Sequence, residues 1–375
     1  MRNMMQAIIE GIKASKLQAI SYADFMEKAL YDPAFGYYMK YKQKIGKQGD
    51  FYTSSNISIF AKQWAKFFVS LVEANVTSPV ICEIGGGTGQ FAYDVLTEWQ
   101  RISPQTYKTL TYIMVEVSPY HRTLQQERLV DLGVRWCTSI QEVDSFKGIV
   151  FANELFDAFP VHVVEQQDEL FEIYITFNEQ QQLIERAIVL ENPEVISYLQ
   201  KQDLKLKYGQ RMEVPLAMKS YIAEIGRVLQ QGLFITVDYG YTNEEWCETV
   251  HRQGSLRGYY KHQLISNPLL YPGDMDLTTH IHWDGLQSVA AENQMETLLR
   301  VKQTTFLLAT GILEQLIDHV DLDPFSTVST HNRAVRSLLT GGISDAFQIA
   351  IMGKKLEGYH DLFIAMTDEM RHASL

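Results

Sequence analysis

Cysteine is scarce in this chain. Only Cys82, Cys137 and Cys247 occur in 375 residues, an odd number set far apart. No disulfide framework and no metal-ligand spacing emerges from them, which suits a reducing compartment. No run reaches the ~18 apolar residues of a membrane span. The start, MRNMMQAIIEGIKASK, lacks a long apolar stretch ahead of a small-residue cleavage site, and it carries one arginine and the acidic Glu10. A soluble, cytoplasmic protein without a membrane partner is the expectation. Basic charge is short as well: 33 Lys and Arg stand against 45 Asp and Glu, a net charge of −12. Nucleic-acid binders carry a basic face, so no nucleic acid is expected. A basic protein or a cationic group suits this balance better. Internal repeats and low-complexity segments are absent.

Apolar residues are plentiful, at 46%, so a full core is available. The length fits one large α/β domain with a substantial cap. Residues 1–79 read as a helical cap. In it, Ser21 and Asp24 open a capping-box start, and Phe60, Trp64, Phe67, Phe68 and Leu71 recur at helical spacing. From Val80 short apolar runs alternate with helical patterns, the signature of a parallel sheet with right-handed crossovers. The core is expected over 80–160 and 214–355. Antiparallel strands are expected to be inserted over 161–213, where β-branched and aromatic residues come in short runs. PLAMKSYIAEIGRVLQQG returns to helix, with Gly232 as its stop. A Tyr-, His-, Pro- and Gly-rich insertion covers 241–283, on the substrate side. A late insertion before the final two strands suits a Rossmann-like, seven-stranded sheet.

The chemistry concentrates in VICEIGGGTGQ, Val80 to Gln90. An apolar strand ends in an acid, a glycine turn follows, and a helix begins. Gly85, Gly87 and Gly89 allow positive φ and close backbone approach to a nucleoside. A dinucleotide fingerprint needs a third glycine three residues after the second, and Gln90 stands there instead. A P-loop needs Lys followed by Ser or Thr, which is absent too. The remaining pattern, acid-x-Gly-x-Gly-x-Gly, points to S-adenosyl-L-methionine, a ligand with no phosphates to grip. Glu83 would shape the turn and reach the methionine amino group. Glu116, one helix and one strand further on, would accept the ribose hydroxyls. Alternatively, it is a solvated acid at a strand end.

FANELFDAFP follows the fourth strand, at the end where open α/β sheets bind ligands. Asn153 there would line the transferred methyl group, and Glu154 and Asp157 could pair with a cationic substrate. Helix capping is the alternative for Asp157. Asp238, ending the fifth strand, either faces the cleft or pins its loop. His262, His280 and His282 read as cavity wall rather than metal ligands, since no third ligand or outer shell is identifiable. GDFYTSS at 49–55 offers the hydroxyls of Thr53 and Ser54 to a ligand carboxylate. Alone, it also reads as a capped loop before a helix.

Taken together, SYADFMEKALYDPAFGYY, GDFYTSSNIS, EIGGGTGQ, VEVSP, ANELFDAFPVH, VDYGY, GSLRGYYKH, NPLLYPGDMDLTTHIHW and QTTFLLATGI resemble the MidA-type methyltransferase family over most of the chain. Its members include a mitochondrial assembly factor that methylates an arginine. The resemblance implies a class I methyltransferase fold, S-adenosyl-L-methionine as cofactor, and a protein arginine as a candidate acceptor. Ser55 and Asn56 depart from the family's usual Pro and Glu, and the loss of that acid puts an identical substrate in doubt. A small-molecule N- or O-methyltransferase and a non-catalytic, cofactor-binding assembly protein are the rival readings. Missing Gln90-position glycine disfavours a dinucleotide oxidoreductase. The oligomer is open, with a homodimer among the options.

Overall fold

A computed structural model describes residues 3–42, 44, 58–318, 323–340 and 346–356. The chain divides into two compact units. One gathers Met1–Phe51, Leu155–Ile222 and Gly240–Val289; the other gathers Tyr52–Glu154, Ala223–Tyr239 and Ala290–Leu375. The segment grouped above as 1–79 is therefore shared between them.

The second unit is built on a sheet whose strands we number β1 (Val80–Ile84), β2 (Thr111–Val115), β3 (Arg135–Cys137), β4 (Phe146–Asn153), β5 (Leu229–Tyr241), β6 (Met295–Lys302) and β7 (Phe347–Lys354). Their order is β3-β2-β1-β4-β5-β7-β6. The first five in space run parallel, and β7 is antiparallel to both β5 and β6. The chain winds outward from β1 to β3, then returns to β4 on the other side of β1. That reversal opens a crevice at the carboxyl ends of β1 and β4.

The central strands are mostly apolar because both faces are covered. The helix Ser58–Glu73 supplies most of one cover, with Phe60, Trp64, Phe67 and Phe68 buried. Trp64 stacks on Phe306 at 4.6 Å, and Phe91 stacks on Phe151 of β4 at 4.8 Å.

Gly232 is not a helix stop. The helix Leu216–Val228 ends four residues earlier, and Gly232 lies inside β5 with φ 131°. The β4–β5 register shifts between Leu229 and Gln231, and a Cβ on Gly232 would collide with the Gly148 carbonyl. Glycine is there for a close strand approach at a bulge.

In the first unit, Ser21 caps the helix Tyr22–Tyr31 through the capping box with Asp24. An antiparallel sheet runs Ile20–Ser21, Leu170–Phe177, His162–Gln166, Arg211–Val214, and Leu183–Val189 also pairs with Leu170–Phe177. A separate three-stranded sheet joins Gln263–Ile265, Arg257–Tyr260 and Asp276–Thr278. Among the described residues no helix is long and apolar enough to cross a membrane.

Candidate functional site

The site of the second unit starts where β1 runs out. Gly85, Gly87 and Gly89 all take positive φ, at 71°, 52° and 74°. The N–H of Gly85 still reaches the Val115 carbonyl at 2.9 Å, so the turn leaves directly from the β1–β2 ladder. Gly89 is the N-cap of the helix Gln90–Ile102 and brings no side chain to its start. Gly86, between them, is a glycine for another reason: a Cβ there would lie 2.5 Å from the Met114 sulfur.

Glu83 is almost fully buried and accepts a 2.7 Å hydrogen bond from the Tyr112 hydroxyl. Burial pushes its carboxyl up to about 7; the Tyr112 hydroxyl opposes the shift and nearby Glu116 adds to it. Glu116, just past β2, is buried as well, and burial also pushes it up to about 7. The Ser118 N–H donates to Glu116 Oε1 at 2.9 Å, and Gln125 Nε2 donates to Oε2 at 3.2 Å. Ser118 also caps the helix Pro119–Arg128 that carries Gln125. Each carboxyl is thus held by donors that favour its charged form against a buried setting that does not.

Across the crevice, Ile84 is level with Ala152. Asn153, the next residue of β4, is therefore level with Gly85. Its Nδ2 donates to Glu154 Oε1 at 3.1 Å, while its Oδ1 is buried with no hydrogen-bond partner. Glu154 has left-handed backbone, φ 50°, fixed by its N–H on the Val237 carbonyl at 2.8 Å. Asp238 follows Val237 on β5, is completely buried, and accepts from the Tyr239 N–H at 2.9 Å. Glu83, Glu116, Asn153, Glu154 and Asp238 thus come together on the carboxyl side of one sheet.

Asp157 belongs to the first unit. It lies within a short 3-10 turn, Phe156–Ala158, and does not cap it. Its Oδ2 accepts from the Thr278 hydroxyl at 3.0 Å, and its carbonyl accepts from the Thr279 N–H at 2.8 Å. Thr53 and Ser54 lie outside the described residues.

The histidines do not form one group. His262 is exposed in a turn with φ 62°. His282 is 1% exposed, with Nδ1 2.6 Å from the Tyr198 hydroxyl and Nε2 2.6 Å from Asn243 Oδ1. Both its ring nitrogens are engaged, so it is an interior connector without a lone pair for a metal. His280 stacks on Tyr241 at 4.3 Å, and His251 stacks on the same ring at 3.8 Å. Burial lowers His280 to about 3 and His282 to about 4, so both are neutral. Among the described residues no cluster of three or more His, Cys, Asp or Glu could hold a metal ion.

Tyr112, Ser118 and Gln125 were not singled out by the sequence. Ser118 had a signal, a serine directly before a proline at a helix start; Tyr112 and Gln125 had none, because their partners are remote in the chain.

The donor set fits S-adenosyl-L-methionine. Two buried carboxylates suit an amino group and ribose hydroxyls, and would repel phosphate. The positive-φ glycines leave the turn without side chains, and the orphaned Asn153 Oδ1 awaits a donor. Comparison with known proteins decides the family. The model of a family described as "Putative S-adenosyl-L-methionine-dependent methyltransferase" matches residues 60–301. The chain belongs to this family. It is an S-adenosyl-L-methionine-dependent methyltransferase of the class I fold, as the motifs led us to expect. Similar proteins include "Protein arginine methyltransferase NDUFAF7, mitochondrial" of Danio rerio, 28% identical over 333 residues, covering 80% of this chain and 75% of that one. The Homo sapiens protein of the same name is 24% identical, covering 84% and 75%. Among solved structures, a Burkholderia thailandensis protein bound to S-adenosyl-homocysteine has the same fold, with a TM-score of 0.83, 24% identity, and coverage of 95% of this methyltransferase and 94% of that chain.

Proposed function

We propose that this methyltransferase modifies an arginine side chain of a protein, with Asn153 and Glu154 gripping the guanidinium. The carrying observation is the Asn153–Glu154 pair. A left-handed glutamate is costly backbone, retained where surrounding structure demands it. Here it sets a carboxylate against an amide whose own acceptor atom is buried and unpartnered. A guanidinium offers five N–H donors and no acceptor, which matches that pair. The relatives named as protein arginine methyltransferases support the same acceptor.

In this reading Glu116 accepts the ribose hydroxyls, Glu83 accepts the methionine amino group directly or through water, and Gly85, Gly87 and Gly89 let the backbone approach. Thr53 and Ser54 are proposed to meet the cofactor's carboxylate. The bound cofactor supplies a methyl group on a sulfonium. The chain's residues position the acceptor nitrogen in line with it. Free arginine is protonated, with a pKa above about 12. Glu154 would localise that charge and help the nitrogen shed its proton, while Asn153 Oδ1 orients it. Asp238 joins the acidic set proposed for a cationic acceptor and is anchored by the Tyr239 N–H; Asp157, in the first unit, is held by the Thr278 hydroxyl. An acidic chain of net charge −12 suits a basic protein and not nucleic acid. Three free cysteines are consistent with a reducing cytoplasm; cell fractionation tests that against the mitochondrial naming of the relatives.

The test is Glu154→Gln, read in two ways. Methyl transfer to protein from a labelled cofactor is expected to fall by about 10²-fold or more. Affinity for S-adenosyl-homocysteine is expected to be unchanged. Wild-type turnover in the variant would remove Glu154 from this role.

A further inference from the structure

Gln125 has no exposed surface and lies on the helix Pro119–Arg128, behind the glycine turn. Its Nε2 donates to the Gly87 carbonyl at 2.9 Å and to Glu116 Oε2 at 3.2 Å. Both amide hydrogens are therefore spent on parts of the proposed cofactor site. Its Oε1 is buried with no partner. Turning the amide over would not help: Oε1 would then face a carbonyl and a carboxylate, two acceptors. A buried orphan acceptor is uncommon, and here it accompanies two donors that both point at the site. Gly89 fits the same arrangement, since a Cβ on it would lie 3.1 Å from Gln125 Cγ and 3.3 Å from its Cα.

We propose that Gln125 is a positioning residue, tying the glycine turn to Glu116 so that the two halves of the cofactor site are held as one piece. This rests on the reading of Glu116 as the ribose acceptor. A carboxylate that accepts ribose hydroxyls works in its ionised form, and an amide N–H aimed at it favours that form. The other groups around Glu116 are Arg122, whose Nη1 donates to the Glu116 carbonyl at 2.8 Å, His121, whose Nδ1 is 3.9 Å from Oε2, and Glu83, whose charge opposes its own. Without Gln125, the donors left on the carboxylate are the Ser118 and Gly87 N–H groups. The carboxylate would then ionise at higher pH, and the turn would lose one of its ties to Glu116, keeping the Gly87 N–H and the Arg128 contact to Thr88.

Calorimetric titration of S-adenosyl-homocysteine into wild type, Gln125→Met, Gln125→Glu and Glu116→Gln, across the neutral pH range, tests this. Methionine keeps length and helix propensity without the donors; glutamate keeps the shape and sets a like charge beside Glu116, and serves if the methionine variant does not fold. Both Gln125 variants are expected to weaken binding by about tenfold and to move the midpoint of its pH dependence upward. A merely structural role would weaken binding equally at every pH, with the midpoint in place, and that result overturns the proposal. So does wild-type affinity in the variants. Glu116→Gln separates the two readings. If it abolishes binding while the Gln125 variants keep the wild-type midpoint, only the positioning role fails. If it binds normally, the ribose reading fails and the positioning role goes with it.

Discussion

Glu83 and Glu116 carry the same tension at the residue scale. Each is a carboxyl pushed up to about 7 by burial, yet each is proposed to hold a ligand as an anion. A carboxyl whose folded value lies above its unfolded value keeps its proton longer in the folded state, so the ligand-free chain loses stability as pH rises from about 4.5 to about 7. Ligand binding runs the other way in the proposed role, where the ionised form accepts the ribose hydroxyls. For each of the two carboxyls that must ionise, affinity for S-adenosyl-homocysteine is expected to weaken about tenfold per pH unit below about 7. The thermal shift it produces is expected to be larger at pH about 8 than at about 6. Calorimetry and thermal unfolding at these two pH values check both statements; equal affinity at both would show that neither carboxyl needs to ionise. The acids themselves were legible, since each stands at the end of an apolar strand. Their burial and mutual charge effect were not, because both depend on neighbours such as Tyr112 that no local pattern links to them.

The glycine turn is the element that sequence and structure describe in the same terms. Gly85, Gly87 and Gly89 all adopt the backbone that their spacing suggested. Gly89→Ala tests the element as a whole. It places a Cβ at φ 74° and within 3.1 Å of Gln125, so a stability loss of about 1 kcal/mol or more is expected. Cofactor affinity should fall with it, as unfolding by denaturant and calorimetry on one preparation would show. Full affinity in that variant would mean that the turn does not shape the site. Gly232 teaches the opposite lesson. Its place after a helical pattern imitates a stop signal, while its real constraint is the Gly148 carbonyl of a strand far back in the chain. Asp157 is similar: a local reading offers a cap or a free acid, and the structure gives it Thr278, reached only through the later insertion.

For the whole molecule, alternating apolar runs made seven of the sheet's eight strands legible, because buried parallel strands leave a strong local signal; the short strand Ile281–His282 was not read. The partition into two units was not legible. Each draws on three separated stretches of chain, and the helix Ser58–Glu73 follows its aromatic face into the core with Phe151 and Phe306 rather than its sequence neighbours. The histidines of the late insertion likewise acquire partners, Tyr198 and Asn243 for His282, that spacing cannot supply.

Family membership and fold make this chain a methyltransferase; the acceptor is the open choice, and Glu154 is the residue proposed to grip it. The most direct measurement is amino-acid analysis after incubating the protein and a cell lysate with methyl-labelled S-adenosyl-L-methionine. Label recovered as methylated arginine in hydrolysed protein, and lost with Glu154→Gln, is the expected result. Label confined to small molecules, or found in protein on residues other than arginine, would contradict it.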